Sequence, residues 1–273
     1  MLKKSSLMKI RNIELNVSDQ GEGNALVWAH GLMGSMAAED GWDILKWELQ
    51  KEHFHFIRYD ARGHGESEGT KSPEDYHWRS LAKDMVGIIK AKGLEKAIAG
   101  GMSMGCATAI YAGVQDPDKL NGLILMNPPT AWETRTEQGK LYNRFAWAGR
   151  ILGGSLLGKI IARNPSRLLP GWIVESGTVD MGEAFNALGK ISRSTLFNLL
   201  KGAALTDLPP REEIRKIKLP TLILAWTNDQ SHPVETAEKL HDDIQNSELH
   251  VASSMEELDT WPELIRKFVE SHG

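Results

Sequence analysis

The stretch KAIAGGMSMGCATAIYAGV, Lys96 to Val114, leaves a chain few folds to choose from. KAIAG reads as a strand and CATAIYAGV as a helix of small residues, with Gly101-Met102-Ser103-Met104-Gly105 at the join. A strand that passes into a helix over so short a bend strains the residue at its centre and projects that side chain above the sheet edge. Ser103 is that residue. Side chains two positions to either side would collide with the turn, and glycine stands at both places. A serine in an ordinary glycine-rich turn is the alternative reading; the flanking strand and helix favour the strained bend.

The rest of the chain repeats the same alternation. Short apolar runs occur at Ile13–Asp19, Ala25–Gly31, His53–Gly65, Asn121–Pro129, Pro220–Asp229 and Ser247–Ser253, and helical patterns lie between them. Leu81, Met85, Ile88 and Ile89 have helical spacing, and WPELIRKFVES (Trp261–Ser271) is amphipathic with Pro262 in its first turn. IELNVSD alternates and reads as a half-exposed early strand. This order predicts an α/β fold with a mostly parallel sheet and covering helices. Residues 131–208 break the pattern with helices only, too long a stretch for a loop. They are expected to form an inserted helical lid, with residues 1–130 and 209–273 making up the core domain.

At 273 residues the chain can bury a large core, and its net charge of −4 argues against a surface that coats nucleic acid. The single cysteine, Cys106, excludes an internal disulfide and fits the reducing cytoplasm. MLKKSSLMKI lacks an apolar stretch of signal-peptide length, and no run is long enough for stable membrane insertion. No phosphate-binding, dinucleotide or zinc spacing is present, so neither cofactor nor metal is expected. His53 and His55 share a strand face without a third ligand and read as an exposed strand end. Cys106 reads as a small packed residue, and Asp60 and Arg62 as braces of their turn.

The chain resembles the α/β-hydrolase family over nearly its whole length. The bend at Ser103 matches the family's nucleophile elbow, HGLMGS (His30–Ser35) its oxyanion loop, YDARGHGES (Tyr59–Ser67) the turn after its fourth strand, and DPDKLNGLILMNPP (Asp116–Pro129) the lead into its sixth. The resemblance implies an eight-stranded sheet, Ser103 as nucleophile, and an oxyanion hole formed by the backbone N–H groups of Leu32 and Met104. It also implies that His30 and His64 are structural. The family's acid follows the seventh strand as D-x-x-x-P, and Asp229 stands four residues before Pro233. Capping of the next helix by Asp229, or by Ser231, is the alternative role.

The base is the anomaly. The family's histidine stands about seven residues before a Pro-Glu pair beyond the eighth strand. That count back from Pro262 gives Met255, whose thioether cannot take the serine proton. His250 lies within a strand and His272 next to the end. His232, three residues after Asp229, is the candidate substitute if its loop turns the ring inward; a rim histidine is the alternative. Glu133 could orient an imidazole but reads better as a solvent-facing hinge residue. Loss of the base in a serine triad costs about 10⁶ in kcat, roughly 8 kcal/mol.

Lid residues such as Trp132 and Phe145 are candidates to line a pocket for a small or medium apolar ligand. Arg135, Lys140, Arg144, Arg150, Lys159, Arg163 and Arg167 make the lid locally basic. They form either a solvated face or a docking site for an acidic ligand or membrane surface. Two functions follow. One is a serine hydrolase of the esterase or lactonase type with a displaced base. The other is a catalytically silent relative that binds an apolar ligand or a protein.

Overall fold

A computed structural model describes residues 5–50, 52–163, 169–179 and 188–273. Eight strands form one sheet: β1 Ser6–Ile10, β2 Ile13–Gln20, β3 Ala25–Ala29, β4 His55–Tyr59, β5 Ala97–Met102, β6 Leu120–Met126, β7 Thr221–Trp226 and β8 Ser247–Ala252. Their spatial order is β1-β2-β4-β3-β5-β6-β7-β8. The pairs β1–β2 and β2–β4 are antiparallel and all later pairs are parallel. β1 is a strand that the apolar runs named above do not include. β2 is more buried than its alternation suggests: the segment after β4 lies over it, with Asn16 N–H donating to Ser67 Oγ at 2.8 Å and Asn16 Nδ2 to Asp60 at 2.9 Å.

The parallel strands separate two apolar layers, as alternate side chains must. Val27 and Ala29 of β3 join the layer covered by the helices Trp78–Ala91, Met104–Gln115 and Val234–Asp243. Leu26 and Trp28 join the opposite layer, with Trp47, Phe56, Trp226, Trp261 and Ile265. Cys106 is fully buried in the first layer and its thiol is pushed up by that burial, which fits a packed residue. Asp60 accepts from Met36 N–H and Glu66 N–H, and Arg62 pairs with Asp84 at 2.7 Å, so both brace the turn after β4.

Between β6 and β7 the described residues form the helices Arg135–Leu152, Gly154–Ala162, Gly171–Ser176 and Arg193–Leu205 after a short turn at Trp132–Thr134. The first and last of these pack closely, and a methyl group on Gly149 would meet Leu196 at 2.8 Å. Arg167, counted above among the basic residues, lies outside the described residues, as does most of Asn164–Trp172. Arg135 is a correction. It is not part of a basic face but is buried over the Trp78 ring at 4.3 Å. It donates to the carbonyls of Thr206 and Ala203, tying the two ends of the inserted segment to each other. Its partners are main-chain oxygens, which leave no signature in sequence.

The bend after β5 has the geometry that its glycines require. Ser103 takes φ 55° and ψ −108°, outside the regions a side-chain-bearing residue ordinarily visits. A Cβ on Gly105 would stand 1.9 Å from the Ala29 carbonyl oxygen, and one on Gly101 2.5 Å from the same oxygen. Backbone cannot yield as a side chain can. Gly105→Ala should therefore lower the stability by about 3 kcal/mol or more. A urea-unfolding midpoint unchanged from the parent would contradict this account of the bend.

Candidate active site

The site forms at the carboxyl edge of the sheet, where β5, β6 and β7 end side by side. Ser103 N–H donates to the Met126 carbonyl at 3.0 Å, fixing the bend against β6. Asn127 follows β6 with φ 47° and clasps β7: its N–H donates to the Leu224 carbonyl at 2.7 Å and its Oδ1 accepts from Trp226 N–H at 3.2 Å. Thr130 N–H then donates to the Ser231 carbonyl at 3.0 Å, so the segment after β6 supports the loop after β7. That loop carries Asp229 and His232.

His232 Nε2 lies 2.8 Å from Ser103 Oγ, and His232 Nδ1 lies 2.8 Å from Asp229 Oδ2. With Nδ1–H donating to the carboxylate, Nε2 presents its lone pair to the serine hydroxyl. Asp229 is buried and saturated with donors. Its Oδ2 also accepts from the Trp226 indole N–H at 2.8 Å, and its Oδ1 accepts from the N–H groups of Ser231 at 2.8 Å and His232 at 3.2 Å. Burial by itself would raise this carboxyl. The charge and hydrogen bond of His232, the indole and the Ser231 amide outweigh it and hold Asp229 below the usual aspartate range. The alternative role as a helix cap is not taken up: the helix Val234–Asp243 begins after Pro233 and has no side-chain cap from either Asp229 or Ser231.

The remaining histidines stand elsewhere. His250, on the edge strand β8, has Nε2 3.8 Å from a Glu248 carboxylate oxygen. His272 pairs with the Phe268 carbonyl at 3.1 Å. His55 pairs with Asp19 at 2.6 Å, away from any metal-binding cluster among the described residues. Met255 begins the short helix Met255–Leu258, which is capped by Ser254, and packs against the apolar layer that holds Trp226 and Trp261. Those two indoles stack at 6.0 Å with planes 9° apart. Trp226 is the residue that sequence reasoning passed over. Its available signal was a buried indole donor three residues before a buried acid.

The His30–Ser35 loop lies against the bend, and a Cβ on Gly31 would sit 3.6 Å from Ser103 Cβ. Neither Leu32 N–H nor Met104 N–H donates to an acceptor among the described residues, so both remain available to a ligand. His30 and His64 stitch this loop down. His30 Nε2 accepts from Ala61 N–H at 3.0 Å while its Nδ1–H donates to the Gly31 carbonyl at 2.7 Å. His64 Nε2 accepts from Met33 N–H at 3.2 Å, and its Nδ1–H donates to the Arg62 carbonyl at 3.0 Å. In this arrangement each ring accepts at Nε2 and donates from Nδ1.

Phe145 packs in the apolar cluster that also takes in Leu32 and Met33. Trp132 does not join it. Its indole N–H donates to the Pro209 carbonyl at 3.0 Å, and Arg211 and Lys239 lie over its ring. It borders a separate cleft of about 420 Å³ lined also by Arg135, Lys201 and Asp207, whose walls include none of Ser103, His232 and Leu32. The expectation that Trp132 lines the pocket above Ser103 is corrected accordingly: the strained turn at φ 50° aims its ring at the 209–211 segment. Glu133 is exposed and pairs with Lys239 at 3.0 Å.

Sheet order, bend and loops together are those of the α/β-hydrolase fold. Residues 24–153 match the family model described as alpha/beta hydrolase fold. The chain is similar to the AB hydrolase superfamily protein YisY of Bacillus subtilis (strain 168), at 29% identity over 87% of this chain and 86% of that protein. It is similar to 3-oxoadipate enol-lactonase 1 of Acinetobacter baylyi, at 25% identity over 85% and 86%. Among solved structures, the enol-lactonase from Burkholderia xenovorans LB400 superposes with a TM-score of 0.81 at 22% identity, covering 97% of this chain and all of that one.

His64 gives this region a pH dependence. Burial, with the neighbouring His30 adding to it, pushes its pKa down from 6.5 to about 3. The folded state therefore favours the neutral ring. Its contribution to stability is complete above the unfolded value of 6.5 and is lost as pH falls from there toward 3. Urea unfolding over that window should show a loss of up to about 1.4 kcal/mol per pH unit from this group. The loss should be smaller in His64→Asn; equal slopes for the two proteins would remove His64 from the effect.

Proposed function

We propose that the protein is a serine hydrolase acting on a small or medium apolar carboxylic ester or lactone, with its general base displaced to the loop after β7. The observation that carries this reading is the 2.8 Å contact between His232 Nε2 and Ser103 Oγ, in line with the 2.8 Å contact from His232 Nδ1 to Asp229. Ser103 attacks the acyl carbonyl as His232 takes its proton. Asp229 holds the tautomer and stabilises the imidazolium. The N–H groups of Leu32 and Met104 receive the developing oxyanion; a donor of this kind is typically worth about 3 kcal/mol. Collapse of the tetrahedral adduct expels the alcohol, to which His232 returns the proton. Water, activated by the same ring, then releases the acid and restores the serine.

The substrate class rests on two supports. The relatives named above include an enol-lactonase, and one similar structure is a thermophilic esterase from Thermogutta terrifontis, with a TM-score of 0.77. The apolar contact of Leu32 and Met33 with the cluster holding Phe145 supplies a non-polar surface beside the serine. We take residues 131–208 to be the lid over this site. We place the protein in the cytoplasm, where its one cysteine stays reduced; no helix among the described residues is long and apolar enough to cross a membrane. The catalytically silent reading rests on Met255, and the contact of His232 with Ser103 weighs against it.

A fluorophosphonate probe should label the parent rapidly and Ser103→Ala not at all. His232→Ala should lose about 10⁵ to 10⁶ in kcat on a short-chain ester. Labelling that is indifferent to His232→Ala would exclude it as the base, and no labelling of the parent would favour the silent binder. Trp226 is expected to act through Asp229 as a positioning residue. Trp226→Phe keeps the stack on Trp261 but deletes the N–H, and should lower kcat about tenfold with little change in KM. It should also shift the acid limb of the pH–rate profile, a readout that a purely structural role would leave in place.

A further inference from the structure

From Gln138 to Val174 the chain carries six lysines and arginines and no aspartate or glutamate. Against a whole-chain charge of −4, this +6 leaves −10 on everything else. Five of the six cations lie on or directly after the helices Arg135–Leu152 and Gly154–Ala162. The helical faces show how that charge is presented. On Arg135–Leu152, Lys140, Arg144, Trp147 and Ile151 follow one another at intervals of four, three and four residues, so they form a single stripe. All four are exposed, Trp147 at 56% and Ile151 at 68%. On Gly154–Ala162 the outer face is Leu156, Lys159, Ile160 and, one residue past the helix, Arg163, again exposed throughout. The opposite side of that helix is buried through Gly154, Leu157 and Gly158.

The cations of this surface have little to neutralise them. Lys140 pairs with Glu137, while Arg144, Lys159 and Arg163 have no ion pair among the described residues. Large aliphatic side chains and an indole are interleaved with them rather than set apart. A solvated face has no use for Ile151, Leu156 and Ile160 in water, and a soluble polyanion has no use for them either. An anionic bilayer surface uses both: phosphate headgroups accept the cations, and the upper acyl region takes the aliphatics and the indole.

We propose that the outer face of the inserted helices docks the protein reversibly on anionic membranes, with Trp147, Ile151, Leu156 and Ile160 entering the headgroup boundary and Lys159 and Arg163 binding phosphate oxygens. The proposal is independent of the chemistry assigned to Ser103, and its test uses the full-length Ser103→Ala protein so that no lipid is consumed. Cosedimentation is measured with vesicles of phosphatidylcholine alone and of phosphatidylcholine mixed equally with phosphatidylglycerol. Binding should be at least about tenfold tighter to the mixed vesicles and weaken with salt. Lys159→Glu with Arg163→Glu should reduce it by about tenfold or more. Trp147→Ser with Ile151→Ser should reduce it without altering charge. Circular dichroism of each variant checks that the fold persists, and Lys159→Gln with Arg163→Gln serves as a milder pair should the reversals unfold the helix. Three results would each overturn the proposal: equal binding to both vesicle types, no binding to either, or retention on a soluble polyanion that the serine variants leave unchanged. Concentration-dependent self-association abolished by Ile151→Ser, without vesicle binding, would overturn it as well and mark the face as a contact between copies.

Discussion

The Ala29 carbonyl oxygen sets the distances on which the site depends. It occupies the space where side chains at Gly101 and Gly105 would be, so β3 and the bend after β5 approach more closely than any other residue pair would permit. The parallel pairing of Ala29 with Gly101 carries that approach to the end of the sheet. Two consequences follow at once. The chain leaving β3 is delivered beside Ser103, which brings Gly31 within 3.6 Å of its Cβ. The strained backbone of Ser103 is held from the other side by its hydrogen bond to Met126. Strain of this kind, of order 1–3 kcal/mol, persists only where neighbours over-determine it, and here two strands do so.

With the serine fixed, the placement of Asp229 and His232 becomes a local matter. Asp229 and His232 are separated by two residues and belong to a single loop, so their contact is set by a few backbone angles rather than by the docking of a second loop. The same carboxylate that orients the ring accepts the loop's own N–H groups from Ser231 and His232. Loop conformation and imidazole tautomer are thus fixed by one group. Since β8 contributes nothing to the contact, the position after it is free of chemical demand, and Met255 packs there into the apolar layer beneath.

Legibility in the sequence follows how local each cause is. The bend at Ser103 was readable because glycine at both flanks is a steric requirement of that one turn. The parallel sheet was readable from the alternation of apolar runs with helical spacing. The reach of His232 was not, because a side chain's direction at the tip of a loop depends on Thr130 holding Ser231 from the segment after β6. Arg135 misled for a related reason. In sequence it is one cation among several, while in space it spends its donors on the carbonyls of Ala203 and Thr206, some seventy residues distant. Trp132 misled because an indole in an apolar context was assigned to the pocket, whereas its backbone turns left-handed and hands the ring to Pro209.

Two attachments of the inserted helices bear on the site differently. Arg135 clasps their two ends together through backbone oxygens, a bond insensitive to the protonation of any neighbour, and lies over Trp78 of the core. The cluster around Leu157, Leu196 and Phe145 grips Leu32 and Met33, so the proposed oxyanion loop is packed from above by the insertion and hydrogen-bonded from below by His64. Among the described residues the insertion meets that loop through apolar contacts, which permit sliding, while the His64 bond resists displacement in direction and distance. The histidine beneath thus sets the loop's geometry, and on the proposed lid reading the insertion sets how much space remains above. Division of labour of this sort allows the walls of a pocket to change with little disturbance to the donors at its floor, because the two are fixed by different interactions.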